Sequence, residues 1–502
     1  MSPFKFSFEK TNSHLEAVKA PFIFVYNLFK NLRKSFMLMA RWERWLAAIL
    51  FFAALGLSGW QYERSYMAST KNAPASGGTL TEDMVGQVKF LNPILASSDA
   101  EHSVSELLFS GLVQTDGSAT VKPDAAESWE INNDGQQYIF HLKKTNMFSD
   151  GTALTAADVA YTIDQIKSPA VESPLMTSWT GVDVKIIDNY TLEFDLPTAY
   201  GPFIYNCNFG IMPSYMTSDD FARNLTGSGP FKYNKTKKSG TTFSEIDLKR
   251  NDDFGGTKPY LDQINIKLFQ NEADAITDYN KKADTLVLFG AEGASGTNLD
   301  YQSARELGLV FNLRSDKLKD IAVRQKIVSG TRLDAPMTLN LLSLDAPAQN
   351  AKAAELKTKL AGQNITLNIS NLNNVKFGEA VTAKSYDLVL YGFDFSNDRD
   401  PYPFWHSSQL SAMNLAGWSD KNSDILLEDA RMLVDPVARN AKYDQFFQTV
   451  QTQYLAVFYN PIPFDFFVKD KVQNVSAVTG KQAGSHLDQI TGWYLKEKRV
   501  KK

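Results

Sequence analysis

The chain has 502 residues, 43% of them hydrophobic and 12% aromatic, with a net charge of −4. It is longer than one ordinary domain and apolar enough to bury a substantial core. A single cysteine, Cys207, excludes an intrachain disulfide and a multi-cysteine zinc site, and the five histidines stand far apart with no metal-type spacing.

Charge is unevenly placed. Residues 1–44 carry eight basic and three acidic side chains and residues 45–60 carry none, so the total of −4 leaves −9 on residues 61–502. That acidity argues against electrostatic binding of nucleic acid. The uncharged run Trp45-Leu-Ala-Ala-Ile-Leu-Phe-Phe-Ala-Ala-Leu-Gly-Leu-Ser-Gly-Trp60 is flanked by Trp42 and Tyr62. Positive charge on its N-terminal side and aromatics at its edges predict a transmembrane signal anchor over 45–62, with a cytoplasmic basic segment at 1–44. The contact partner of residues 45–62 is then the lipid bilayer. A cleaved signal peptide would have a shorter basic region and a small-x-small exit, and a lipoprotein would have a Cys after the apolar run. A core helix of a soluble domain is the remaining alternative. Ala20 to Met39 intersperse Phe22, Ile23, Phe24, Val25, Leu28, Phe29 and Leu32 with basic residues. This reads as an amphipathic helix on the inner leaflet or one packed on a partner protein. Residues 63–76 read as a flexible linker, because Ala68 to Gly78 are small and polar.

Beyond the linker the chain is mixed α and β. Gln137–Leu142 reads as a strand, Asp150-Gly151 as a turn, and Thr155 with Asp158 as a helix start. Val159, Ile163 and Ile166 follow at helical spacing.

Several segments, in one order, resemble family 5 extracellular solute-binding proteins, the peptide and nickel receptors of ABC importers. They are Gly77-Gly-Thr-Leu80, Leu91-Asn-Pro93, Glu106-Leu-Leu-Phe-Ser-Gly-Leu112, Pro123-Asp-Ala-Ala-Glu-Ser-Trp129 and Phe148-Ser-Asp-Gly-Thr152. Gly227-Ser-Gly-Pro-Phe231, Leu248-Lys-Arg-Asn251, Asp320-Ile-Ala-Val-Arg-Gln325 and Tyr386-Asp-Leu-Val-Leu-Tyr-Gly-Phe393 continue the series. The resemblance covers residues 77 to 495. It implies an α/β, two-lobed periplasmic-binding-protein-like (Venus flytrap) fold behind an N-terminal transmembrane helix. Lobe 1 would take residues 77–312, lobe 2 residues 313–472, and residues 473–502 would return to lobe 1. The hinge crossings would lie near Leu313 and Val472. The chain departs from the family pattern after the Val-Arg-Gln helix, where Arg332 to Leu341 follow almost at once, so lobe 2 reads as shortened.

The resemblance also implies function. The lobes would close on a peptide or similar small solute and deliver it to an ABC permease, with no cofactor on this chain. Family members meet a ligand ammonium with an aspartate shortly after the Gly-Trp motif. Here the loop Gly392-Phe-Asp-Phe-Ser-Asn-Asp-Arg-Asp-Pro401 is one residue longer and puts Ser396 or Asn397 in that place. A buried ammonium requires a carboxylate, which makes Asp394 and Asp398 the candidates. The alternative is an Asp-rich surface loop with Arg399. Phe393, Phe395, Trp405 and Trp418 are candidate walls of an apolar pocket, with ordinary core packing as the competing reading. No Gly-x-Ser-x-Gly, His-Glu-x-x-His or phosphate-loop motif is present. The chain therefore reads as a binding protein and not an enzyme. A membrane-anchored receptor for sensing or adhesion, favoured by the long cytoplasmic segment, is the alternative, and an extracellular hydrolase with dispersed residues a weaker one.

Overall fold

The computed structural model describes residues 30–31, 33–35, 37–115, 120–216, 225–282, 286–289, 294–299, 301–394, 398–464, 466–476, 479–481 and 485–502. The Ala20 to Met39 amphipathic reading falls largely outside these residues, as does Phe395. The chain divides into two compact units, residues 1–73 with 497–502, and residues 74–496.

The first unit is built on helix α1 (Arg41–Ser69), none of whose residues is buried. It is long and apolar enough to cross a membrane by length and composition. The backbone amide of Ala40, which precedes it, donates to Glu43 Oε2 at 2.7 Å, so an acid in the first turn meets the positive end of the helix. Strand β1 (Thr70–Ala75) follows directly and pairs with the last strand, β21 (Lys496–Lys501). The linker expected at 63–76 is therefore corrected to the end of a helix and a strand. The reason is tertiary. The Lys502 amide donates to Ser69 O at 3.0 Å, and Arg499 Nε donates to Thr70 Oγ1 at 2.9 Å. A remote strand thus supplies the hydrogen bonds that small, polar residues do not seek locally.

The second unit contains the lobes. In the first lobe β2 (Thr79–Val85) leads to α2 (Asp99–Leu108), and a short hairpin β3 (Val113–Thr115) and β4 (Val121–Pro123) follows. Next come β5 (Ala126–Asn132), β6 (Gln137–Leu142), α3 (Ala156–Lys167), β7 (Asp183–Asp188) and β8 (Thr191–Asp195), forming an antiparallel sheet in the order β5-β6-β8-β7. Then β9 (Phe231–Ser239), β10 (Thr242–Arg250), β11 (Gln263–Phe269), α4 (Glu272–Lys281), β12 (Leu286–Phe289) and β13 (Thr297–Asn298) complete the first half. β2 lies between β11 and β12 and runs parallel to both.

The second lobe opens with β14 (Tyr301–Phe311), α5 (Ile321–Ser329), β15 (Met337–Leu344), α6 (Pro347–Ala361) and β16 (Ile365–Leu372). It closes with α7 (Asn374–Ala383), β17 (Leu388–Asp394), α8 (Lys421–Met432), α9 (Pro436–Thr452) and β18 (Ala456–Phe464). The sheet order is β16-β15-β17-β14-β18, with β20 (Thr479–Lys481) also on β14. β19 (Phe466–Val468) returns to the first lobe, whose large sheet runs β13-β19-β12-β2-β11-β10-β9. The chain thus changes sheets between Asn298 and Tyr301 and again between Phe464 and Phe466. These two changes come before Leu313 and Val472, and a further one follows between Val468 and Thr479, where β20 joins β14. Leu313 already belongs to the second lobe, packed on its core clusters, and Val472 is buried in the core of the first. Residues 330–336 alone separate α5 from β15.

The motif residues act as scaffold. Gly151 has φ +85°, where Gly is favoured, and its amide donates to Phe148 O at 2.9 Å. Asp158 accepts from the Thr155 amide at 2.8 Å and from Thr155 Oγ1 at 2.9 Å, and it also takes the Ser214 amide and hydroxyl. Val159, Ile163 and Ile166 are fully buried. Arg324, from the Val-Arg-Gln motif, is buried and donates to the carbonyls of Leu318, Lys319, Gln453 and Tyr454. It fastens α5 to the loop after α9 through backbone carbonyls.

Candidate functional site

Ligands of open α/β sheets gather beyond the carboxyl ends of the strands. In the second lobe those ends are Leu344 of β15 and Asp394 of β17, level with the start of β14, where the chain has just left the first lobe. Arg305 on β14 occupies this position. Its Nη2 lies 3.4 Å from Asp394 Oδ2 and 3.4 Å from Asp99 Oδ1, and its Nη1 lies 3.4 Å from Asp99 Oδ2. Asp99 stands in the first turn of α2, so this guanidinium bridges the two lobes. Burial works against its charge, but Asp99 and Asp394 together hold its pKa above the usual arginine value. Next to it, burial pushes the Glu306 carboxyl upward, with Arg399 opposing. The bridge is long and only part-buried, so its components remain able to exchange partners.

A second contact joins the lobes where residues 199–206 meet the α8–α9 connection. Arg431 lies over the rings of Tyr200 and Tyr402, at 4.7 and 4.2 Å, and its Nε is 2.9 Å from Asp400 Oδ2. Burial raises the Asp400 carboxyl while Arg431 counters it. At Gly201 the backbones are so close that a Cβ would stand 1.9 Å from Leu433 O. A cavity of about 750 Å³ opens at this contact. Thr177, Ser178 and Phe203 of one lobe and Tyr402, Glu428 and Arg431 of the other line it.

The residues singled out from the sequence fall in different settings. Asp394 lies on the arginine bridge. Asp398 is not free to meet an ammonium: its Oδ1 is 3.2 Å from Arg439 Nε and its Oδ2 accepts from the Tyr443 hydroxyl at 3.1 Å. Phe393 and Trp405 are fully buried in the second lobe's core, with Phe393 edge-on to Phe404 at 4.9 Å. Trp418 packs at the margin of that core and donates to Ser423 Oγ at 3.3 Å. These aromatics stand where core packing explains them, and neither Phe393, Trp405 nor Trp418 lines the interlobe cavity. Sequence reasoning missed Arg305, Asp99, Gly201, Arg431 and Arg439. One signal was available: a loop with three aspartates requires cations, and Arg431 and Arg439 are the arginines of the next two helices. Arg305 carries no local signal.

Away from the lobe contacts, β2 buries two acids. Glu82 Oε1 is 2.6 Å from His486 Nε2, and among the described residues neither oxygen of Asp83 has a hydrogen-bond partner. Burial, reinforced by Asp278, raises Asp83 to about 6. Among the described residues no group of His, Cys, Asp and Glu is arranged to hold a metal ion.

Residues 120–330 match the model of the bacterial extracellular solute-binding proteins, family 5 middle region. The oligopeptide-binding protein AppA of Bacillus subtilis is 23% identical, over 81% of this chain and 90% of its own length. Among solved structures, the ABC transporter substrate-binding protein CtaP of Listeria monocytogenes superposes with a TM-score of 0.72 at 19% identity, covering 84% of this chain and 99% of that one. NikZ of Campylobacter jejuni, solved in complex with Ni(L-His), has a TM-score of 0.68 at 20% identity over 83% of this chain and 99% of its own.

Proposed function

We propose a specific role for this chain, supported by the match of its residues 120–330 to the model of the bacterial extracellular solute-binding proteins, family 5 middle region, a family of binding proteins and not of enzymes. It is the membrane-anchored, extracytoplasmic receptor of an ABC importer, and it takes peptides or similar small solutes between its lobes. The observation that carries this reading is the arginine bridge at the carboxyl ends of the second lobe's strands. A bridge from Asp99 through Arg305 to Asp394 offers both signs of charge to a ligand entering between the lobes, and a ligand that contacts both lobes favours closure. Asp394 is the carboxylate for a ligand ammonium and Arg305 the cation for a ligand carboxylate. α1 holds the binding unit at the outer face of the membrane, with the permease as partner.

Ligand that binds only the folded state raises its stability by mass action. The test is a thermal-shift screen of the protein against peptide pools, sugars and nickel chelates. A concentration-dependent rise with at least one class is expected, and flat melting curves across all of them would sink the reading. With a ligand in hand, Asp394→Asn should weaken an ammonium-bearing ligand by tenfold or more, on the order of 1.4 kcal/mol. An intact N-terminus on the membrane-bound protein is expected, and a mature start after residue 59 would contradict the anchor.

A further inference from the structure

The unit formed by α1, β1 and β21 has a chemistry that the solute-binding role does not use. Past Trp60, α1 continues as Gln61-Tyr-Glu-Arg-Ser-Tyr-Met-Ala-Ser69. Arg64 lies over the Trp60 ring at 5.4 Å, and Tyr62 stacks on Tyr66 at 6.4 Å. Arg499 returns from β21 to lie 5.8 Å from the Tyr66 ring, and its Nη2 donates to Met67 O at 3.2 Å. The end of the apolar helix is therefore collared by aromatic and cationic groups, the residue types that settle at the headgroup level.

Strand β21 and the residue after it read Lys496-Glu-Lys-Arg-Val-Lys-Lys502, and β1 adds Lys71. Lys71, Lys498, Lys501 and Lys502 are exposed. Glu497, the acid of the strand, accepts from Asn72 Nδ2 at 2.7 Å, across the ribbon. At 1.5 Å per residue, Ser69 lies about 14 Å beyond Trp60, within roughly one to two Debye lengths of the hydrocarbon edge at physiological salt. This ribbon is a basic exception in a chain whose residues after the apolar run are acidic overall.

We propose that the β1–β21 ribbon is a docking surface for anionic phospholipid headgroups, holding the ribbon against the membrane where α1 emerges. The inference rests on the anchor reading above. Its occupant follows from charge complementarity: exposed lysines on both faces of a two-stranded ribbon, beside a helix long and apolar enough to cross a membrane, match a surface of phosphate headgroups. Arg499 is a positioning residue that ties the strand to the helix end, while Lys71, Lys498, Lys501 and Lys502 supply the attraction. The ribbon holds the chain to the membrane at two points, before and after the binding unit in sequence.

The full-length protein is reconstituted in nanodiscs of phosphatidylcholine alone or with about one-third phosphatidylglycerol, and amide exchange is followed at residues 70–75 and 496–501. Exchange should slow about tenfold in the anionic discs at low salt and return to the neutral-disc rate in 0.5 M salt. The K71E/K498E/K501E/K502E variant should lose the lipid dependence while exchange in β2 and β15 stays as in the parent. A K71Q/K498Q/K501Q/K502Q variant should behave likewise if the reversed charges unfold the ribbon. Equal exchange in both lipids, or slowing that survives either variant, would overturn the proposal. Slowing seen only in native membranes, and absent from pure lipid, would overturn it in favour of a protein partner. Failure of the protein to enter any disc would remove the anchor reading and this inference together, whereas insertion without lipid dependence would remove the inference alone.

Discussion

The two contacts between the lobes use arginine in opposite ways. At the arginine bridge Arg305 faces Asp99 and Asp394 at 3.4 Å, with all three side chains roughly one-third exposed. At the other contact Arg439 is sunk among backbone carbonyls, Arg431 lies over two tyrosine rings against a mostly buried Asp400, and Gly201 lets two main chains touch. The first contact is held by screened charge, the second by shape and desolvated ion pairs. A part-exposed bridge can give up a carboxylate to an incoming ligand at little cost, whereas a close-packed contact has only made and unmade states. The acids that a sequence reading offers to a ligand are thus divided: Asp398 and Asp400 belong to the packed contact and Asp394 to the exchangeable one.

This division can be broken by substitution. The largest effect is expected at Arg439, which is 2% exposed and paired with an Asp398 side chain that is 10% exposed. Arg439→Ala leaves a buried carboxylate uncompensated and should cost about 3–5 kcal/mol in denaturant unfolding. The pair replacement R439M/D398N should recover most of that loss, and a double variant as weak as the single would show that packing and not charge matters there. Next comes Gly201→Ala, whose new Cβ would meet the Leu433 carbonyl. About 1–3 kcal/mol of strain should separate the lobes, enlarging the radius of gyration in X-ray scattering while the circular dichroism of the folded lobes is unchanged. An unaltered scattering curve would mean that this contact does not govern closure. The smallest effect belongs to Arg305→Met, worth about 0.2–1 kcal/mol in stability at low salt and less at high salt. A salt-independent loss of several kcal/mol would erase the distinction between the two contacts.

Much of the scaffold was legible in local sequence. The turn at Gly151, the Thr155–Asp158 helix start and the buried face of Val159, Ile163 and Ile166 each depend on residues a few positions apart. Arg324 and Asp158 were visible as motif positions, although their several hydrogen-bond partners were not. The candidate site was far less legible. Asp398 meets Arg439 across 41 positions and Asp99 meets Arg305 across 206, separations at which no periodicity reports a contact. Phe393 and Trp405 show the same limit, since an aromatic in a core and an aromatic in a binding wall look alike in a sequence.

By itself the sequence determined the apolar helix, the basic segment before it, the two-lobed α/β class and the absence of disulfide or cysteine–zinc chemistry. The helix, the basic segment and the cysteine chemistry follow from composition and from signals that act within one or two turns of chain, whereas the two-lobed class is implied only by the ordered resemblance to the family 5 solute-binding proteins. Only the tertiary structure decided that Thr70–Ala75 is a strand, that the sheets exchange the chain near residues 300 and 465, and which carboxylates have arginines. Those outcomes depend on hydrogen-bond and ion-pair partners tens to hundreds of residues away, as when Arg499 reaches Thr70 across 429 positions to turn a linker-like segment into half of a ribbon.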